Sequence, residues 1–394
     1  MDTGSVQGIL DEASRQTGLD DFGDDWFLAP LAAWVNDLAQ DNLTDFGRRF
    51  LRSLAVRDVA RRLRVIATLD AHPEIAEVAL PPILYITGLE RSGTTLLHNL
   101  LATHRHGRSL LRWELMEPLP PPQTATFDTD PRIEMVQQSV DKLRGSLLER
   151  MHWVNADEPE ECVWGFIDGV SMLGGAAGLC MPAWADFLAL EDQRRSYENY
   201  RRVVQLLLWK HPVEPGGFLV LKAPQIGRHI DSFATVFPEA RFVITDRDPF
   251  RCIVSMAAMG ESIVDPFCVN NPMTDDGVRG RVIQAGVEPK LAALHAFTDT
   301  SKEGPTHVAY PALVSDPSAV VSDVFGAADI AFDDDDAAGI DAFLDAQRAG
   351  RRSSPPAELA TMGYEHDQVL ASAPIRSYCD RFAIEPERTR LTGA

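Results

Sequence analysis

The chain has 394 residues, 45% hydrophobic and 24% charged, with a formal net charge of −21. That length can bury a large core, as one big α/β domain or two smaller ones. The acidic balance argues against a general nucleic-acid or anionic-membrane surface, so an anionic ligand would need a focused basic pocket.

Residues 1–80 read as a helical N-terminal segment, with apolar residues at helical spacing such as Leu31, Trp34, Leu38 and Phe46, Leu51, Leu54. Arg57, Arg61, Arg62 and Arg64 form a basic cluster, read chiefly as a solvated helix face, with contact to an anionic ligand as the minority alternative. The N-terminus is acidic and lacks a signal-peptide pattern. The nearest candidate for a membrane span, Val163 to Leu190, contains Asp168, Pro182, Asp186 and five glycines, which excludes it. Cys162, Cys180, Cys252, Cys268 and Cys379 are odd in number and without C-x-x-C spacing, so reduced, mostly buried thiols of a cytoplasmic protein are expected.

Residues 81–394 read as a single α/β domain. Its first element is the most informative. Ile83 to Thr87 is an apolar β-type run; Gly88 opens a turn that carries Arg91, Ser92, Gly93, Thr94 and Thr95; Leu96, Leu97, Leu100 and Leu101 continue as a helix. Strand, glycine loop and helix aim backbone N–H groups and a helix N-terminus at a phosphate. Gly88 and Gly93 have the spacing of the Walker pattern G-x-x-x-x-G-K-[ST], but Thr94 stands at the lysine position. A nucleoside triphosphatase needs that lysine for its β/γ-phosphates, so a different phosphate ligand is indicated.

Pro118, Pro120, Pro121 and Pro122 interrupt regular structure, and a mostly helical insertion spans 118–215. Within it, Asn155 to Glu161 reads as a capped, solvated helix start, with an active-site role as the alternative. Trp153, Trp164 and Trp184 read as core, or as part of a pocket lining. Strands follow at 218–224 and 241–246, with a short one at 307–310; helices are expected at 227–237, through Ser255, and at 316–327. Arg348 to Met362 reads as a loop. Alternating strands and helices with nearly continuous apolar strands predict an α/β fold, a P-loop-like parallel sheet flanked by helices. Ligand loops should then lie at the strand C-terminal ends.

Three strand ends present cations or hydroxyls: Arg91 to Thr95, Lys222-Ala-Pro-Gln225, and Arg247-Asp-Pro followed by Ser255. Together they resemble the sulfotransferases that use 3′-phosphoadenosine 5′-phosphosulfate (PAPS), in their bacterial and tyrosylprotein branches. The usual loop, Pro-[Arg/Lys]-Ser-Gly-Thr-Thr, has Glu90 in place of its proline, and Arg91 falls on the cation. The resemblance covers about 75–390, including Tyr310 to Pro317 and the tail at Gly363-Tyr364 and Ile375 to Phe382. It implies that Arg91, Ser92, Gly93, Thr94, Thr95 and Leu96 bind the 5′-phosphosulfate, and that Arg247 and Ser255 bind the 3′-phosphate. PAPS carries two separated anionic groups, which suits two anion sites on neighbouring strand ends.

The resemblance further implies transfer of a sulfonate to a hydroxyl of a small-molecule or lipid-like acceptor, with the 118–215 insertion on the acceptor side and no metal; the apolar, aromatic stretch at 162–190 favours a hydrophobic acceptor over an anionic glycan. Arg91 and Lys222 are the candidates to stabilise charge in the in-line displacement. A glutamate base is expected shortly after the first helix, where Glu114 stands beside Trp113; His98 and His104 are the alternatives. Arg351 and Arg352, with Arg348, are candidates to close over the 3′-phosphate. Rival readings are a nucleotide-binding protein without transferase activity and a P-loop kinase-like enzyme.

Overall fold

The computed structural model describes residues 4–142, 144, 155–168, 180–350 and 365–387. The N-terminal segment is helical: α1 Val6–Thr17, α2 Leu28–Leu38 and α3 Asp45–Ala71. Ser5 and Thr44 start α1 and α3 by accepting from the backbone N–H of Gly8 and Gly47. These helices do not close a core alone. Ile9, Phe27, Leu31, Trp34 and Leu51 pack with Trp184, Val264 and Phe267, contributed from much later in the chain.

The basic cluster of α3 is not a solvated face. Arg57 and Arg64 are exposed, but Arg61 and Arg62 are buried. Arg61 donates to the carbonyls of Trp164 and Phe166, and Arg62 to Asp168, Asp24 and the Phe22 carbonyl. α3 is instead riveted to the segment after residue 161, because a buried guanidinium needs several acceptors at once.

The sheet has five parallel strands: β1 Ile83–Gly88, β2 Gly107–Ser109, β3 Phe218–Lys222, β4 Ala240–Asp246 and β5 Thr306–Ala309, in the order β2-β3-β1-β4-β5. Every residue of β1 and β3 is buried, as their continuous apolar composition demands. Tyr85 of β1 lies opposite Leu221 of β3 and Phe242 of β4. The strands expected at 83–87, 218–224, 241–246 and 307–310 are present, with ends shifted by one or two residues. The sequence indicates a second short element ending in Leu110 to Glu114 without fixing its type; the strand there, β2, is three residues, two of them glycine and arginine, with no hydrophobic period.

Helices follow the strands: α4 Thr94–Ala102 after β1, α5 Arg112–Met116 after β2, α6 Pro182–Leu190 and α7 Arg194–Trp209 before β3, α8 Ile230–Val236 after it, and α9 Pro249–Val264 after β4. A 3₁₀ turn, Pro224–His229, lies between β3 and α8. Arg348 ends the helix Asp334–Gly350 rather than opening a loop. Arg351, Arg352, Trp153, Gly363 and Tyr364 lie outside the described residues.

Cys180 and Cys268, 88 residues apart, form a disulfide with Cα atoms 6.2 Å from each other, which corrects the expectation of five reduced thiols. Chain folding brings them together where α6 and the end of α9 meet the N-terminal helices, a proximity that spacing alone does not reveal. Cys162, Cys252 and Cys379 are free. No helix among the described residues is long and apolar enough to cross a membrane.

The strand order places the chain reversal around β1, where a ligand crevice is expected above the strand C-terminal ends. Gly88 is what lets the first loop leave β1. Its φ is +140°, and a Cβ would stand 2.6 Å from Thr245 Oγ1 and 2.7 Å from the Thr245 carbonyl oxygen. Gly88→Ala is therefore expected to cost at least about 2 kcal/mol by overpacking on backbone that cannot retreat. Urea unfolding would show it; an unchanged midpoint would contradict the close approach.

Candidate functional site

The first loop is a built cradle. Arg91 adopts a left-handed φ of 71° and Gly93 one of 97°. A Cβ on Gly93 would meet Tyr310 Cδ2 at 2.8 Å. α4 begins at once, with Gly93 as an N-cap that has no side chain to bond the first N–H groups. The N–H groups of Thr94, Thr95 and Leu96 thus occupy the first turn, where no intrahelical acceptor exists. Ser92 is turned inward: its hydroxyl donates to the Leu89 carbonyl at 2.6 Å and meets Thr245 Oγ1 at 2.5 Å. It fixes the loop to β4.

The second cation site joins the first. Arg91 Nε donates to Ser255 Oγ at 3.0 Å, and Arg247 Nη1 donates to the Arg91 carbonyl at 2.7 Å. Arg247 also lies over the Tyr310 ring, 3.8 Å from its centroid. Burial, and then the neighbouring Arg247, lower the pKa of Arg91. Burial works against the charge of Arg247, but Glu387, with Tyr310 and Cys252, more than offsets it and the pKa stands above the usual value. Glu387 is bidentate on Arg247, at 2.7 and 2.9 Å. The Glu387 N–H in turn donates to Asp248 at 2.9 Å, which pins the tail there.

Lys222 ends β3 and is 1% exposed. Its ammonium donates to Glu161 Oε1 at 2.7 Å and reaches Thr95 Oγ1 at 3.4 Å. Gln225 donates to the other oxygen of Glu161 at 2.9 Å. Glu161 was read as part of a solvated helix start; it is instead 5% exposed, and Glu160 is 3% exposed. The reason lies in the backbone. Arg112 N–H donates to the Glu158 carbonyl, Trp113 N–H to the Ala156 carbonyl and Glu160 N–H to the Leu110 carbonyl. This segment is held against residues 110–113, so Glu160 pairs with Arg112 while the next residue, Glu161, reaches Lys222. No local pattern announces a partner 61 residues away.

Glu114 is fully buried. It accepts from Arg108 at 2.6 Å with one oxygen and from the Leu111 N–H at 3.0 Å with the other, closing the start of α5. Burial pushes its pKa up, with Arg108 opposing. Trp164 and Trp184 are core residues as expected, 6% and 3% exposed. His104 is buried against the Ala331 carbonyl, far along the chain from the loop residues. His98 is buried and its Nε2 lies 3.2 Å from the Val220 carbonyl; burial, and then Lys222, lower its pKa to about 3.

Parallel sheet, glycine loop and paired cations define an α/β protein with two guanidinium groups gathered at the end of its central strand. The Sulfotransferase family profile matches residues 82–334, more than half of the chain, and the chain belongs to that family. Membership places it among enzymes that transfer a sulfonate group. Among solved structures it is similar to the sulfotransferase STF9 from Mycobacterium avium, with 25% identity, 98% of each chain covered and a TM-score of 0.86. The fold is also that of the sulfotransferase STF1 from Mycobacterium tuberculosis H37Rv, with 22% identity, 93% of this chain and 97% of that one covered, and a TM-score of 0.78. A search of curated proteins returns no match.

His98 gives this region a pH signature. Its folded pKa of about 3 lies below the ordinary 6.5, so the unfolded chain binds the extra proton between these values. Stability is therefore lost as pH falls below about 6.5, by up to about 1.4 kcal/mol per pH unit from this group. His98→Gln, followed by urea unfolding at pH 7 and pH 5, should show a smaller loss than wild type; identical losses would contradict the buried neutral imidazole.

Proposed function

We propose that the protein transfers a sulfonate from PAPS to the hydroxyl of a small acceptor. The observation that carries this reading is the joining of two cation sites at adjacent strand ends, Arg91 on the glycine loop and Arg247 with Ser255 beyond β4. The donor set fits a ligand with two separated anionic groups. Arg91, the N–H groups of Thr94, Thr95 and Leu96, and the Thr95 hydroxyl would hold the 5′-phosphosulfate; Arg247 and Ser255 would hold the 3′-phosphate. Gly93 and Ser92 set the loop shape rather than supply side-chain contacts. Arg247 must exchange Glu387 for that phosphate, one anion for another. A kinase-like reading is disfavoured because Thr94, not lysine, begins α4.

Bound there, the donor supplies an activated sulfonate whose leaving group is a phosphate. The chain's own residues do the rest by position and charge. Arg91 and Lys222 stabilise charge on the transferring group and on the leaving oxygen. Lys222 and Glu161 neutralise each other in the free protein; when Lys222 turns to the sulfonate, Glu161 is left to take the acceptor proton. Glu114, the base expected from the sequence, is held by Arg108 and the Leu111 N–H at the start of α5. Glu161 is favoured as the base because the Lys222 it binds also reaches Thr95 of the first loop.

Transfer of radiolabelled sulfonate from PAPS to a panel of alcohols and phenols tests the reading. Glu161→Gln should lower kcat by about 10²–10⁴-fold, the range of general-base catalysis. Glu114→Gln should act mainly on thermal stability. The reverse pattern would return the base role to Glu114, and absence of transfer by the wild type to every acceptor would sink the proposed activity.

A further inference from the structure

A cavity of about 120 Å³ lies among α6, α7, the Pro224–His229 turn and the chain before α2. Its size is of the order of an engineered cavity of about 150 Å³ that holds benzene. Trp26, Phe166, Trp184, Leu188, Tyr197 and Ile226 supply apolar and aromatic wall. Gln225 is part of the lining, and its amide donates to Glu161, the carboxylate that binds Lys222. The cavity therefore lies one hydrogen bond from the proposed reaction centre.

We propose that this cavity is the acceptor site and that it takes a neutral, flat, apolar compound carrying a hydroxyl, a phenol in the simplest form. This rests on the sulfotransferase reading for the fate of the hydroxyl, but not for the binding itself. The argument for a neutral ligand is the make-up of the lining. Asp168 is the carboxylate in the lining, and it is already held by Arg62 at 2.8 Å, Ser196 at 2.5 Å and Asn199 at 2.9 Å. Arg62 is shared with Asp24 at 3.1 Å. His229 lies against the Leu188 carbonyl at 2.9 Å, and burial lowers its pKa, so it adds no charge near neutral pH. With its carboxylate held by three donors and no ammonium or guanidinium among the lining residues, the cavity offers nothing to bind an anion, while the aromatic rings favour a flat apolar ligand. The hydroxyl would be directed to Gln225, with its proton facing Glu161.

In the transfer itself, the acceptor oxygen forms a bond to sulfur as the bond from sulfur to the phosphate oxygen breaks. The electron pair leaves with the phosphate, and the hydroxyl proton goes to Glu161. Atoms and charge balance without an added oxidant or reductant.

Ligand-observed NMR on the full chain, without nucleotide, tests the cavity separately from the activity. 4-Chlorophenol should bind saturably, and anionic 4-hydroxybenzoate at least 10-fold more weakly. Leu188→Trp, which narrows the cavity at a half-buried position, should weaken 4-chlorophenol at least 10-fold while leaving binding of adenosine 3′,5′-bisphosphate unchanged. It should raise KM for sulfonate transfer to 4-chlorophenol without a matching fall in kcat. Trp26→Ala, which removes wall from another side, gives a second reading should Leu188→Trp not fold. Equal binding of the two phenols, or 4-chlorophenol binding unmoved by both substitutions, would overturn the proposal. Phenol binding lost on substitution in a protein that does not bind adenosine 3′,5′-bisphosphate would uphold the cavity and sink the donor reading instead.

Discussion

Two guanidinium groups held together at the end of a parallel sheet are the constraint on which the site depends. Arg91 reaches across to Ser255, and Arg247 reaches back to the Arg91 carbonyl, so the β1 loop and the β4–α9 connection are clasped to each other. Like charges in a partly buried crevice repel, and burial already weighs against Arg91. In a chain of net charge −21, these two guanidinium groups are gathered at one strand end. Glu387 answers part of that demand in the free protein. In the proposed reading, a ligand with two anionic groups answers the rest.

The opposite wall of the crevice is made from one ion pair. Lys222 and Glu161 are both nearly free of solvent, and each would be costly to bury without the other. Such a pair contributes little net stability, but it stores a carboxylate and an ammonium at a fixed separation beside Thr95. That is why the pair reads as a site rather than as a structural rivet. Arg62 with Asp168 gives the contrast: more partners, no approach to the loop, and a plain anchoring task for the N-terminal helices.

Much of this was legible in the sequence. Apolar runs 83–87, 218–224 and 241–246 had to be central strands, and Arg91, Lys222 and Arg247 fell at their C-terminal ends. Loop shape was also readable, because Gly88 and Gly93 stand where positive φ is needed. What stayed hidden was non-local. Glu161 sits in a charge run with Pro159, and that composition reads as a helix start; only its pairing with residues 110–113 holds it inside. Arg61 and Arg62 carry a helical charge pattern that looks solvated until the acceptors 38 to 106 residues away are in place. Cys180 and Cys268 meet only after the helices pack. Pairings of this kind depend on tertiary topology, which periodicity does not encode.

The claim that two joined cation sites select a doubly anionic nucleotide is tested most directly by calorimetric titration of the wild type and Arg247→Ala with adenosine 3′,5′-bisphosphate and with AMP, which lacks the 3′-phosphate. The wild type should bind the bisphosphate at least 10-fold more tightly, a difference of about 1.4 kcal/mol or more. Arg247→Ala should bring the two affinities together by weakening the bisphosphate alone. Equal affinities in the wild type, or a preference untouched by Arg247→Ala, would contradict the account.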